Sequence, residues 1–165
     1  MSIKPIVSNI KELRKPCEIV KSDEDVSSII QDLKDTLIAN GHGLALAANQ
    51  IGVLKQICYI RIPLGFDPSL TEPNGTKHVK YSEYVMINPK IIEKDKPVKF
   101  VGEGCLSFGG IRVDTKRYIY ITVQFEDENR KVQLGGMQDI ESFCASHEID
   151  HLNGITIFDR KWRAK

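Results

Sequence analysis

Hydrophobic and polar positions along this chain follow two periods, and the changes between them mark out the elements. From Ser22 to about Asn40, the apolar residues Val26, Ile29, Ile30, Leu33 and Leu37 recur every three or four positions. Asp23, Glu24, Gln31, Asp32 and Lys34 fall between them. A helical turn takes about 3.6 residues, so this spacing predicts an N-terminal amphipathic helix. Ser22 with Asp25 reads as a capping box, and Asn40-Gly41 supplies the stop. Extended segments follow. Gln56 to Ile62 reads as a strand, and Val85-Met86-Ile87 leads into the turn signal Asn88-Pro89. Val98 to Val101 resumes an extended pattern, and Ile111 to Asp114 is a short extended run. Tyr118 to Glu126 alternates, with Ile119, Ile121, Val123 and Phe125 on one face. Glu126 to Arg130 turns into Lys131-Val132-Gln133-Leu134, which completes a hairpin with one buried face.

The helical period returns from about Gln138 to Leu152, closed by Asn153-Gly154. Ile140, Cys144, His147 and His151 fall close to one stripe, so that face points inward and its ionisable groups need partners. Ile155 to Phe158 predicts a last strand. Pro63 to Tyr81, rich in proline and glycine, reads as a long irregular loop in which His78 is a surface residue. Two segments of small residues interrupt the pattern. Gly41 to Gly52 reads as a tightly packed loop and strand, although such residues also admit a ligand's backbone. Gly102-Glu103-Gly104-Cys105-Leu106-Ser107 holds a cysteine among glycines, as buried packing or as a presented ligand. The expected fold is α+β: antiparallel or mixed sheets packed around a central helix carrying His147 and His151, with the amphipathic helix nearer the N-terminus.

Composition narrows the class. At 165 residues, one catalytic-size domain over 1–165 is expected, and 41% hydrophobic with 27% charged residues is ordinary for a soluble protein. A net charge of +1 gives no signal for a nucleic-acid or membrane-surface partner. Lys4, Pro5, Lys11, Arg14 and Lys15 interrupt the N-terminus, so it has no signal-peptide core and the cytoplasm is the expected compartment. The four cysteines are then expected to be reduced thiols, one of them available as a ligand.

The chemistry gathers in His147-Glu148-Ile149-Asp150-His151. Histidines four apart on a helix share a face and can grip one metal ion, and Glu148 can reach a water bound to it. A catalytic site of this kind needs a third protein ligand and an open position. In the extended metalloprotease pattern a third histidine follows the glycine, but that position is Ile157. The other common arrangement needs a downstream glutamate, and none of the 14 residues after His151 is one. The third ligand must come from earlier in the chain. Cys105 is the best candidate, since its glycines allow close approach and thiolates bind such metals strongly.

Three ordered motifs make the chain similar to the peptide deformylases. They are Gly43-Leu44-Ala45-Leu46-Ala47-Ala48-Asn49-Gln50, then Glu103-Gly104-Cys105-Leu106-Ser107, then His147 to His151 followed by Leu152-Asn153-Gly154. The resemblance implies a hydrolase that removes the formyl group from the N-terminal methionine of nascent polypeptides and releases formate. It implies Cys105, His147 and His151 as ligands of one divalent metal ion, ferrous iron being expected while zinc or nickel can occupy the site. Glu148 would be general base and then acid, with Gln50 and the Leu106 N–H as oxyanion donors. Gly43, Leu44, Ala45 and Gly104 would border the substrate. Ile140, Phe143 and Cys144 would line the methionine pocket, with Glu103 and Arg112 beside it. Nascent formyl-methionyl peptides are the implied partners and the ribosome a candidate one, in the cytoplasm or in a host's cytoplasm if the chain is phage-encoded.

The chain departs from the family pattern at a few points. Ala45 stands where a second glycine is usual, and Ser146 replaces a common glutamine. The Pro63–Tyr81 stretch is long for the family. The chain also stops soon after the third motif, as in short phage-like forms without a C-terminal extension. Two other readings share parts of this site. One is a metallopeptidase of the same His-Glu-x-x-His type, and the other is a metal-binding module without turnover, which would leave Glu148 with no purpose.

Overall fold

The computed structural model describes residues 2–67 and 78–164. The fold is α+β, with a short helix α1 (Ile10–Leu13), then α2 (Ser27–Asn40) and β1 (Ala45–Ala47). After these come β2 (Ile57–Asp67), β3 (His78–Glu103), β4 (Val113–Glu126), β5 (Val132–Gln138) and α3 (Asp139–Leu152). The five strands form one sheet in the order β1-β2-β3-β4-β5, and every neighbouring pair is antiparallel.

Helices cover both faces of this sheet near β2, which explains why β2 reads as an uninterrupted apolar run rather than an alternating one. Ile57 and Tyr59 join Val85 and Ile87 in a core with Ile30, Leu33 and Leu37 of α2. Cys58, Ile60 and Ile62 face the other way, packing with Met86, Ile121 and Val123 against Ala145, Ile149 and Leu152 of α3. Among the described residues, no helix is long and apolar enough to cross a membrane.

Several expected boundaries move, each for a local reason. Helix α2 starts at Ser27 instead of Ser22, because residues 21–24 close a turn through Glu24 N–H to Lys21 C=O at 3.2 Å. Asp25, expected inside the helix, instead accepts the Ser27 N–H at 2.9 Å. The stop is where the pattern put it, with Gly41 left-handed at φ 68°. Asn88-Pro89 does not end a strand. Asn88 takes φ 52°, and its side chain bonds both backbone groups of Val20 at 2.9 Å, so β3 continues past it through a bulge. Pro63–Asp67 and His78–Tyr81 are paired strand rather than irregular loop, and residues 68–77 of that stretch lie outside the described residues. Ile111–Asp114 and Tyr118–Glu126 merge into the single strand β4. Ile155–Phe158 is not a strand, because Thr156 and Asp159 bond to each other and curl the segment into turns.

Candidate metal centre and active-site cleft

The site forms where the end of β3 meets the inward face of α3. Glu103 closes β3, and beyond Gly104 Cys105 follows in extended conformation (φ −143°) with its thiol toward α3. His147 and His151 stand one turn apart on α3. One donor atom each from Cys105, His147 and His151 lies within 4.8 Å of the others, and all three residues are buried. Cys105 Sγ is 3.2 Å from His151 Nε2. His147 Nδ1 lies 2.6 Å from Glu103 Oε1. A carboxylate there favours the ring proton on Nδ1 and leaves Nε2 as the nitrogen able to hold a metal. Two imidazoles and a thiol are a donor set that fits a first-row divalent ion.

A buried ionic chain supports this cluster. Glu103 receives the Arg117 guanidinium through Nη2 at 2.5 Å and Nε at 2.8 Å, and it also accepts the Thr115 hydroxyl. The remaining Arg117 nitrogen, Nη1, reaches Asp150 Oδ2 at 2.6 Å. Asp150, between the two histidines, is held from outside by Arg160 at 2.6 Å and 3.0 Å. Carbonyls at the end of α3 are tied down too. Asn49 Nδ2 donates to His151 C=O at 2.7 Å, and Gln56 Nε2 donates to Leu152 C=O at 3.1 Å.

Gln50 sits on a 3₁₀ turn, Ala48–Ile51, directly after β1. Its Oε1 accepts the Ala47 N–H at 2.9 Å, which fixes which end of the amide faces inward. Its Nε2 then donates to Ser107 Oγ at 3.1 Å and lies 3.6 Å from Cys105 Sγ. Leu106 opens a second 3₁₀ turn, and its side chain leaves no room for a Cβ at Gly43, which would meet Leu106 Cδ1 at 2.7 Å.

These groups border a cleft of about 570 Å³. Gly43, Leu44 and Ala45 form one side of it. Gly104 lies opposite with Arg112, whose guanidinium would meet a Cβ at position 104 through Cζ at 2.8 Å. Ile140, Phe143 and Cys144 form the floor along α3, and Phe100 from β3 joins them. Glu103 borders the cleft, and its carboxylate is engaged by His147, Arg117 and Thr115.

Burial sets the proton chemistry. It pushes Glu148 up to about 7, partly opposed by the positive charge of His147. Burial also works against a charge on His147, yet Cys105, Glu103 and Glu148 together hold its pKa up to about 10. His151 is held well below the usual histidine range by burial and by the neighbouring His147. Anionic groups thus gather on His147 and favour a positive charge there, while His151 is kept neutral. Cys17 and Cys144 are driven up to about 11 and about 12, mainly by burial, so both stay protonated thiols.

Sequence reasoning missed Arg117, Asp150, Ser107 and Phe100. Arg117 carried a signal: it shares parity with Ile119, Ile121 and Val123, so an alternating strand puts a charge on its buried face, where it needs partners.

A carboxylate poised to exchange a proton beside a Cys-His-His cluster is the equipment of a metal-dependent hydrolase. The family model described as polypeptide deformylase matches residues 3–165, and the chain belongs to that family, whose members remove formyl groups from nascent peptides. It is 37% identical over 161 residues to peptide deformylase 2 of Clostridium perfringens, covering 97% of this chain and 94% of that protein. The crystal structure of peptide deformylase from Ehrlichia chaffeensis superposes with a TM-score of 0.80 at 31% identity, over 99% of this chain and 89% of that one. A probable peptide deformylase from Synechococcus phage S-SSM7 gives a TM-score of 0.77 at 28% identity, over 96% and 99% of the two chains.

The ionic chain makes a prediction about acid stability. Burial alone would raise the Glu103 carboxyl, but its bonds to Arg117 and His147 overcome that and hold it at about 2. Its folded pKa lies below the unfolded value near 4.5, so its stabilisation is complete above pH 4.5 and fades as pH falls toward 2. The amount is on the order of 3 kcal/mol. Denaturant titrations from pH 5 to pH 2 should show this loss in the wild type and a flatter profile in Glu103→Gln.

Proposed function

We propose that Cys105, His147 and His151 hold the metal ion of a deformylase site, and that Glu148, Gln50 and the Leu106 N–H act on the formamide of an N-terminal formyl-methionine. The observation that carries this reading is the convergence of three donors from two elements into one buried cluster within 4.8 Å. Ferrous iron is the ion we assign, and zinc or nickel also suits two imidazoles and a thiolate. When bound, the ion acidifies water and polarises the formyl oxygen.

The chain's own residues supply the rest. Glu148 takes the proton from the attacking water and delivers it to the leaving amine, which asks for a carboxyl whose pKa lies near neutrality. The Gln50 amide, oriented by Ala47 and Ser107, donates to the formyl oxygen as it gains charge, together with the Leu106 N–H. Gly43, Leu44 and Ala45 on one side and Gly104 with Arg112 on the other hold the peptide backbone. Ile140, Phe143 and Cys144 receive the methionine side chain. We infer that residues 1–165 act as one catalytic domain around a central α3, meeting nascent chains in the cytoplasm, or a host's cytoplasm, with the ribosome as a partner.

The direct test measures formate release from a formyl-methionyl peptide by protein purified without oxygen, with metal content taken on the same sample. An unformylated peptide of the same sequence should stay uncut, which separates deformylation from internal peptide cleavage. Cys105→Ala should lose both metal and formate release; retention of both sinks the ligand assignment. In the same assay Gln50→Ala should keep its metal and lose about 10²–10³ in kcat, as removal of one oxyanion donor does elsewhere. Full activity in that variant would remove Gln50 from the oxyanion site.

A pH profile tests Glu148. With its carboxyl near 7 before metal binding, the ionised base is lost as pH falls, so kcat/KM should decline on the acid side. A bound dication favours the carboxylate and moves the midpoint of that limb below 7. Glu148→Gln should keep the metal, lose at least about 10² in rate and show no such limb. A profile flat down to pH 5 would exclude Glu148 as the base.

A further inference from the structure

One wall of the cleft lies beyond the three sequence motifs. Phe100, near the end of β3, borders the cleft with Phe143, and the two rings stack with centroids 4.7 Å apart and planes inclined by 28°. A bulge puts Phe100 there. From Phe100 to Glu103, β3 advances three residues while its partner β4 covers only two, from Thr115 to Val113. Side chains alternate across a strand, so residues three apart ordinarily point to opposite faces. The extra residue lets both Phe100 and Glu103 face α3. Gly102 makes the turn in the left-handed region at φ 69°, and its N–H donates to Asp114 Oδ1 at 3.0 Å. The same slip drives Val101 outward, where it is 68% exposed. An unbulged strand ending at Glu103 would bury Val101 and turn Phe100 to solvent. The chain instead leaves an aliphatic residue in water and sets an aromatic ring in the cleft.

A thioether gains from an aromatic ring what a methylene of similar size does not. The polarisable sulfur against a ring edge is worth about two- to tenfold in affinity. We propose that Phe100 is a specificity-determining residue. Stacked on Phe143, it selects the thioether of an N-terminal methionine over a hydrocarbon side chain of the same length. This rests on the deformylase site described above, and it sets a residue of the sheet beside Ile140, Phe143 and Cys144 of α3.

The test compares kcat/KM for formyl-methionyl and formyl-norleucyl peptides, which differ only by sulfur against methylene. It uses the metal-loaded wild type and its Phe100→Leu, Phe100→Tyr and Val101→Ala variants. The wild type should favour methionine by about two- to tenfold. Phe100→Leu should release formate from both peptides with the ratio reduced toward one. Phe100→Tyr, which keeps the ring, and Val101→Ala, which alters only the outward neighbour, should keep the wild-type ratio. An unchanged ratio in Phe100→Leu overturns the proposal, and so does a wild type that treats the two peptides alike. Formate from neither peptide in the wild type would overturn the deformylase reading itself, and the specificity role with it.

Discussion

Arg117 grips two carboxylates from different elements, and the geometry of the site depends on that grip. Glu103 ends β3, Asp150 lies on α3, and Arg117 comes from β4 between them. Each is buried, and a lone buried charge is costly, so the three are stable only together with Arg160 closing the far side. The guanidinium is a rigid fork, which makes the arrangement demanding. A slip of β3 against β4, or a rotation of α3, would strand at least one charge. The candidate metal donors sit right beside these anchors: Cys105 two residues past Glu103, and His147 and His151 on either side of Asp150. The ionic chain therefore sets the distance between strand-borne and helix-borne donors before any ion is bound.

Irregularities in the strands do the remaining positioning. Asn88 and Gly102 both take left-handed backbone, and each is held by hydrogen bonds to a distant or neighbouring segment. At Gly102 the outcome is chemical, since one extra residue decides which side chain enters the cleft. Gly154 takes φ 71° with the Arg14 backbone directly beneath it, so the chain leaves α3 against the N-terminal segment. Cys17 N–H donates to Leu152 C=O at 2.9 Å in the same region. Helix α3 is thus clamped at its exit as well as along its face.

Much of this was legible in the chain, and the boundary of legibility has a physical cause. Features set by local periodicity could be read directly: the spacing of His147 and His151, the stripe of α2 and the hairpin after β4. Gln50 and Cys105 came from short ordered motifs. Features set by long-range bonds could not. Asn88-Pro89 is a turn signal that becomes a bulge because Val20, 68 residues away, satisfies the Asn88 side chain. Pro63 looked like the end of a strand, but β2 absorbs it beside a bulge. Phe100 was hidden for the same reason, since simple alternation back from Glu103 selects Val101.

The charges of the site also act on Glu148, which is buried among them. Glu148 resists ionisation because burial takes it out of water and Glu103 stands nearby. The same anionic neighbours favour a proton on His147. A ligand nitrogen cannot keep that proton, so metal binding and proton release are one event. A dication held there would place positive charge beside Glu148, and its field would favour the carboxylate. The carboxyl of Glu148, already about half ionised at neutral pH, would shift further toward its charged form. Burial, which looks like a penalty on Glu148 alone, is thus what makes its charge sensitive to a cation in the Cys105, His147 and His151 cluster.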